Sequence, residues 1–266
     1  MIKEILLIKF LFTLSICLCQ QGSRSNSMSN CSVALIDCWA FNNNPGALGL
    51  IDKKIIGISH ENRFLLKEFQ SQAVVCCLPS KNGVFSFGSQ FHGIDVYKTL
   101  KIGVGYSLKF TDKLYAGIEM NYTRIKFTSF YGSKNLLTAE AGIYCIITNK
   151  WKVGCSIFNI GRSRISIIEN ERFSSFIKIG SVFELSKKVM FAIEVDKNVF
   201  YKIQFKGAIE YKISKDFFFR SGISNQPLEY SFGFGYKLKC FQMDLGSSYH
   251  QIIGWSPNFS ISCSIE

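Results

Sequence analysis

From Leu100 onward, apolar and polar residues alternate with a period of two through one segment after another. In 100–110, Leu100, Ile102, Val104, Tyr106, Leu108 and Phe110 share one face, while Lys101, Gly103, Gly105, Ser107 and Lys109 share the other. The segment 203–213 sets Ile203, Phe205, Gly207, Ile209, Tyr211 and Ile213 against Gln204, Lys206, Ala208, Glu210 and Lys212. The segment 228–238 repeats the pattern, with Tyr230, Phe232, Phe234 and Tyr236 opposite Ser231, Gly233, Gly235 and Lys237. A period of two is that of a strand with one apolar face. On the strands from 114 to 265, no charge is expected on the apolar face within the membrane-length stretch, where a Lys or Arg would cost roughly 2–4 kcal/mol.

A phrase recurs at the strand ends. Phe110-Thr-Asp-Lys-Leu114, Ile147-Thr-Asn-Lys-Trp151, Leu185-Ser-Lys-Lys-Val189 and Ile213-Ser-Lys-Asp-Phe217 each place a three-residue polar turn between two apolar-face residues. Hairpin partners must face the same way, so these turns keep register. Strands are expected at 53–64, 67–78, 83–92, 97–110, 114–126, 136–147, 151–160, 174–185, 189–196, 201–213, 217–224, 228–238, 241–250 and 257–266. The fold class is all-β: a closed antiparallel transmembrane β-barrel of about 14 strands with a short N-terminal plug segment. The short turns fall on the periplasmic side, with Lys113, Lys150, Lys187, Lys188 and Lys215 near inner-leaflet phosphates. The longer connections fall outside. Phe110, Trp151, Phe217 and Phe241 form one aromatic girdle, and Tyr122, Tyr230, Tyr249 and Trp255 the other. The competing fold is a large soluble sandwich, because a lipocalin-like barrel needs only about eight strands.

The N-terminal region reads differently. Residues 1–19 have a basic start, an apolar run too short to span a bilayer and smaller residues at the end, as in a signal peptide. A lipoprotein signal is the alternative, against which bulky Ile16 precedes Cys17 and Leu18 precedes Cys19. Residues 20–52 form an N-terminal linker and plug, of which 20–30, rich in Ser, Asn and Gln, are expected to be flexible. The barrel occupies 53–266. At 266 residues, with 47% apolar and 15% aromatic composition and only four prolines, the chain can build a large barrel of long strands.

Charge and chemistry change this picture little. The net charge of +12 is spread over strands and turns, so the partner is outer-membrane lipid and not nucleic acid. Lumen charges are expected at Lys101, Lys109, Glu119, Glu194, Lys206, Glu210 and Arg220, facing one another across strands. Inward glycines at 103, 105, 117, 142, 154, 180, 222, 233, 235 and 246 leave room for a plug or permit strand bending. Of the ten cysteines, Cys77, Cys145, Cys155 and Cys263 fall on apolar faces; Cys31 and Cys38 are placed to pair in an oxidising periplasm. No metal-ligand spacing, cofactor motif or catalytic constellation occurs. His250 near Ser247 or Ser248 is the one trace of a hydrolase, without an orienting acid.

The segment Cys38-Trp-Ala-Phe-Asn-Asn-Asn-Pro-Gly-Ala-Leu-Gly-Leu50 resembles the Asn-Pro-Ala-Gly-Leu signature that opens barrels of the fatty-acid-transporter (FadL-like) superfamily. PorV-type, Bacteroidetes-like proteins associated with type IX secretion belong to the same superfamily. Here Pro45-Gly46-Ala47-Leu48 stands for Pro-Ala-Gly-Leu. The resemblance implies a plug motif at Asn42, Asn43, Asn44, Pro45 and Gly46. It also implies a non-enzymatic outer-membrane protein that passes or docks apolar or protein cargo, with an apolar ligand or a secretion-system or surface protein as partner. A water-filled porin is the alternative, and an outer-membrane hydrolase a weaker one. The chain departs from the transporters at 161–173, where the longest loop is short and carries Arg162, Arg164, Glu169, Glu171 and Arg172.

Overall fold

The computed structural model describes residues 22–94, 97–127, 132–164 and 172–265. The expected leader and much of the 161–173 loop, including Glu169 and Glu171, lie outside the described residues.

Fourteen strands close into one antiparallel barrel. The first seven are β1 (Lys54–Asn62), β2 (Gln70–Pro79), β3 (Val84–Ile94), β4 (Tyr97–Lys109), β5 (Leu114–Phe127), β6 (Ser133–Ile146) and β7 (Trp151–Phe158). The rest are β8 (Phe176–Glu184), β9 (Val189–Asn198), β10 (Gln204–Lys212), β11 (Phe217–Asn225), β12 (Leu228–Leu238), β13 (Phe241–His250) and β14 (Gly254–Ile265). Each strand pairs with its neighbour in sequence, and β1 closes the barrel on β14 from Lys54 opposite Ile265 to Glu61 opposite Asn258. Closure leaves no unpaired edge, the only way a sheet can sit in lipid.

The outer wall is apolar around its whole girth. Ile102, Val104, Ile118, Met120, Ile143, Ile179, Ile193, Phe205, Phe232, Phe234 and Leu245 all stand exposed on it. In water such a surface would drive aggregation; in a bilayer it is the lipid-facing belt. Phe110, Trp151 and Phe241 are exposed near one end, and Tyr122, Tyr230 and Trp255 near the other. Strand ends differ from expectation where a ladder outlasts its alternation: β6 begins at Ser133 and β14 at Gly254, inside segments that read as loops.

The repeated turn owes its form to a hydroxyl. Thr111 Oγ1 accepts the N–H groups of Lys113 and Leu114, at 3.3 and 3.1 Å. Thr148 does the same for Lys150 and Trp151, and Ser186 for Lys188 and Val189. Ser214 accepts from Asp216 at 3.4 Å. The Ser or Thr that opens each turn thus holds the backbone in a side-chain-closed turn. Thr148→Val is expected to lower stability by about 0.5–1.5 kcal/mol. The urea midpoint of the purified barrel measures this; an unchanged midpoint shows the hydroxyl to be dispensable.

Four expectations are corrected. Residues 22–30 are not flexible: α1 (Ser23–Asn26) is a helical turn, and Ser23, Ser25, Ser27 and Ser29 are buried. Cys31 and Cys38 are both free and buried, with no disulfide between them. Cys77 points inward and is fully buried beneath Cys38, whose carbonyl lies 3.9 Å from its Sγ. The inner face of β2 is itself apolar there, with Ala73, Val75 and Cys77, so alternation alone could not tell inside from outside. The apolar face of β5 is not free of charge: Arg124 and Lys126 point outward at its far end, in step with Ile118, Met120 and Tyr122.

Candidate functional site

The centre of the barrel is filled by the chain's own N-terminal region. The wall makes room for it with glycine. Gly88 lies opposite Gly103, Gly117 opposite Gly142, Gly154 opposite Gly180 and Gly233 opposite Gly246, each pair in cross-strand register. A Cβ on Gly88 would stand 2.2 Å from the Phe41 ring, and one on Gly117 2.4 Å from the Pro45 carbonyl oxygen. On Gly142 it would meet Asn44 Oδ1 at 2.0 Å, on Gly154 the Val33 carbonyl at 2.2 Å, and on Gly222 the Met28 backbone at 2.5 Å. Paired glycines thus give a cradle that follows the N-terminal segment around the barrel.

The Asn-Asn-Asn-Pro-Gly motif sits in this cradle. α2 (Ala40–Asn43) ends at Asn44, which caps a 3-10 turn over Pro45–Leu50. Asn44 is fully buried. Its Oδ1 accepts Gly46 N–H at 3.0 Å, and its Nδ2 donates to the carbonyls of Val33 at 2.7 Å and Ile143 at 3.0 Å. One side chain therefore ties the turn to a second stretch of the plug and to the wall. Ser107 donates to the Pro45 carbonyl at 2.5 Å, and Ser156 to that of Asn43 at 2.9 Å. Asn43 Nδ2 reaches Ser25 Oγ at 3.3 Å, and Asn42 is buried beside it. A Cβ on Gly46 would lie 2.6 Å from the Gly142 carbonyl oxygen, so only glycine lets the turn approach this closely.

Charge pins the plug at two further points. Glu194 Oε2 accepts the N–H groups of Ser32 and Val33 at 2.6 and 2.7 Å, while its Oε1 lies 3.1 Å from Lys206 Nζ. Lys206 also meets Asp196 at 2.5 Å and the Asn30 carbonyl at 3.2 Å. On the next strands Arg220 bridges Glu210 and Asp244, both at 2.6 Å. Glu210 in turn accepts from Arg24 of the plug at 2.9 Å, and Arg24 reaches Asp37 at 3.4 Å. The chain Asp37–Arg24–Glu210–Arg220–Asp244 thus runs from plug to wall. A third group stands on the wall alone: Lys101 Nζ lies 2.8 Å from Glu140 and 3.5 Å from Glu119.

Of the residues singled out from sequence, Lys101, Glu119, Glu194, Lys206, Glu210 and Arg220 are buried inside the barrel. Lys109 is not. It keeps the inward phase of β4 but ends the strand, and its half-exposed side chain pairs with Asp112 at 2.7 Å in the adjoining turn. Arg24 and Asp37 were hidden in the sequence, because nothing in a polar, Ser-rich stretch marks which charges will be enclosed. His250 is a rim residue: its Nδ1 accepts the N–H groups of Ile252 and Ile253, at 3.2 and 3.3 Å, and its ring packs edge-on against Phe64. No metal-binding group of His, Cys, Asp or Glu occurs among the described residues.

The plug also carries an apolar side. Met28, Val33, Leu35, Trp39, Phe41 and Leu48 form one buried cluster with Ala73, Val75, Cys77 and Val84 of β2 and β3 and Tyr115 and Tyr144 of β5 and β6. Full burial of side chains of this size contributes about 1.5–3 kcal/mol each. Polar fastening lies mainly towards β7–β14, where Ser23 N–H reaches Ser260 at 3.2 Å and Ser29 meets Ser231 at 2.7 Å.

This architecture, a closed barrel of fourteen strands around its own N-terminal segment, has solved relatives in shape. The monoaromatic hydrocarbon channel CymD superimposes with a TM-score of 0.74 at 11% identity, covering 94% of this chain and 99% of that one. The Ralstonia pickettii toluene transporter TbuX gives 0.72 at 11% identity, covering 94% and 100%. A Pseudomonas aeruginosa FadL homologue gives 0.64 at 10% identity, covering 92% and 98%. At these identities the likeness is one of fold alone. No family profile and no curated protein matches the sequence.

Proposed function

We propose that the chain is a non-enzymatic barrel of the bacterial outer membrane that passes small apolar molecules, with residues 22–52 as the plug that keeps the lumen shut to ions. The observation that carries this reading is the joining of a lipid-facing barrel to an enclosed segment with one apolar side and one polar side. The polar side fastens the segment, and the apolar side offers the surface along which a hydrocarbon can move. The fold shared with hydrocarbon channels supports the same substrate class. A general porin needs an unobstructed aqueous lumen, and here Asn44, Leu48 and Met28 occupy the centre. Residues 1–19 act as the export signal in this reading.

The test is uptake of a labelled monoaromatic hydrocarbon by cells whose outer membrane excludes such compounds, with and without the protein. Uptake is expected to rise, while planar bilayers containing the pure protein stay silent to ions. Steady ohmic conductance of the intact protein would establish the porin instead. Unchanged uptake together with a stoichiometric surface or secretion protein in the purified complex would establish the docking role that the Asn-Pro resemblance also implies.

A further inference from the structure

Two cysteines meet beside the seam of the barrel. Cys240 belongs to the two-residue turn between Leu238 of β12 and Phe241 of β13, and Cys263 lies near the end of β14. Register sets Cys263 opposite Phe241, and the Ser264 N–H donates to the Cys240 carbonyl at 2.9 Å. One strand spacing across and one residue along put the two Cα atoms about 6 Å apart, the usual separation in a disulfide. Lys239 has a positive φ of 52°, and this turn frees Cys240 from the alternation of the strands. Its side chain is in hydrogen-bonding contact with that of Cys263. Both are thiols in the structure, Cys240 exposed and Cys263 half-buried.

Other neighbouring cysteines are placed less well. Cys76 and Cys263 both lie opposite Ile56, one on each side, so a whole strand and about 10 Å separate them. Cys145 faces Val153 while Cys155 faces Ile143, which makes the two cysteines diagonal neighbours about 7–8 Å apart. A gap above about 7 Å is not bridged without moving the backbone. Cys77 turns its sulfur to the Cys38 carbonyl, where both residues are buried away from any oxidant.

We propose that Cys240 and Cys263 are oxidised to a disulfide that staples the β12–β13 turn to β14, the strand that closes the barrel on β1. Both sides of an outer membrane are oxidising. The exposed Cys240, as its thiolate, attacks a sulfur of a protein disulfide donor of the thiol–disulfide oxidoreductase class. The Cys263 thiolate then attacks the Cys240 sulfur of the mixed disulfide, and the donor leaves as a dithiol. Two electrons and two protons pass from the cysteine pair to the donor. The bond closes the chain between the two residues into a loop and so restricts the unfolded state. In the folded barrel it fixes the end of β14 where Cys263 faces Ile56, so the seam resists fraying from that end.

The experiment starts from cells that carry the full-length protein. They are quenched in acid, and free thiols are capped with N-ethylmaleimide in denaturant before the protein is purified and digested without reductant. The peptides that hold Cys240 and Cys263 should be recovered as one linked species with no cap on either cysteine. Recovery of the two as separate capped peptides, or of either one linked to a different cysteine, would overturn the proposal. Stability gives a second readout. Reducing the pure wild-type barrel should raise its unfolding equilibrium constant in urea about thirtyfold, and Cys240→Ser should match the reduced wild type and no longer respond to reductant. A Cys240→Ser barrel that responds to reductant as the wild type does would show that the stabilising bond lies elsewhere.

Discussion

Substituting Gly142 and Gly154 with valine will leave the barrel standing and drive the plug out of it. The two positions face inward on β6 and β7, and both would-be Cβ atoms converge on Asn44 and its partner Val33. At Gly142 the obstacle is Asn44 Oδ1 at 2.0 Å, and Asn44 cannot swing aside without losing its bonds to Gly46, Val33 and Ile143. At Gly154 the obstacle is the Val33 carbonyl itself, at 2.2 Å. Ordinary overpacking of a core costs about 1–3 kcal/mol, and contacts this short exceed what small adjustments relieve. Valine favours strands, so the wall gains what the plug loses. Wild-type protein should be silent in a planar bilayer, and the double variant should conduct. Gly207→Val is the control, since Gly207 has nothing within 4 Å of its would-be Cβ. A silent, heat-modifiable double variant would mean that the segment does not seal the lumen.

The wall was legible in the sequence because lipid imposes a rule on every strand. Apolar residues must face out, so the period of two and the matched phase of the turns carry both strand positions and closure. The same rule fails where the inner face is apolar too. Ala73, Val75 and Cys77 serve the plug and not the membrane, and for that reason Cys77 reads as lipid-facing. The polar stretch at 22–30 fails in the opposite sense. Low hydrophobicity normally means disorder, but a barrel lumen is a polar container, and Ser23 and Ser29 find Ser260 and Ser231 there. Arg124 and Lys126 share the phase of lipid-facing residues, and only their height on β5 reconciles them with the rule. The inward glycines were visible as a list. Their pairing across strands, which makes the cradle, depends on register, and register appears only once the barrel closes.

Glu194→Ala should be among the most damaging single substitutions inside the barrel. The carboxylate serves wall and plug at once, accepting from Ser32 and Val33 and lying against Lys206. Its removal leaves Lys206 enclosed with Asp196 as its remaining carboxylate, and leaves two plug N–H groups without their acceptor. Breaking a buried ion pair by deleting one partner costs about 3–5 kcal/mol. The urea midpoint and the temperature of the gel-mobility shift should both fall accordingly. Two companions separate the contributions. Glu194→Gln keeps an oxygen that can accept the Ser32 and Val33 N–H groups and removes only the negative charge facing Lys206, so it should forfeit the ion-pair share of the stabilisation and retain the fastening share. Deleting 22–52 removes the N–H donors, so in that background Glu194→Ala should cost only the share that belongs to Lys206. If the penalty is the same with and without the plug, Glu194 stabilises the wall alone, and the fastening of Ser32 and Val33 contributes nothing measurable.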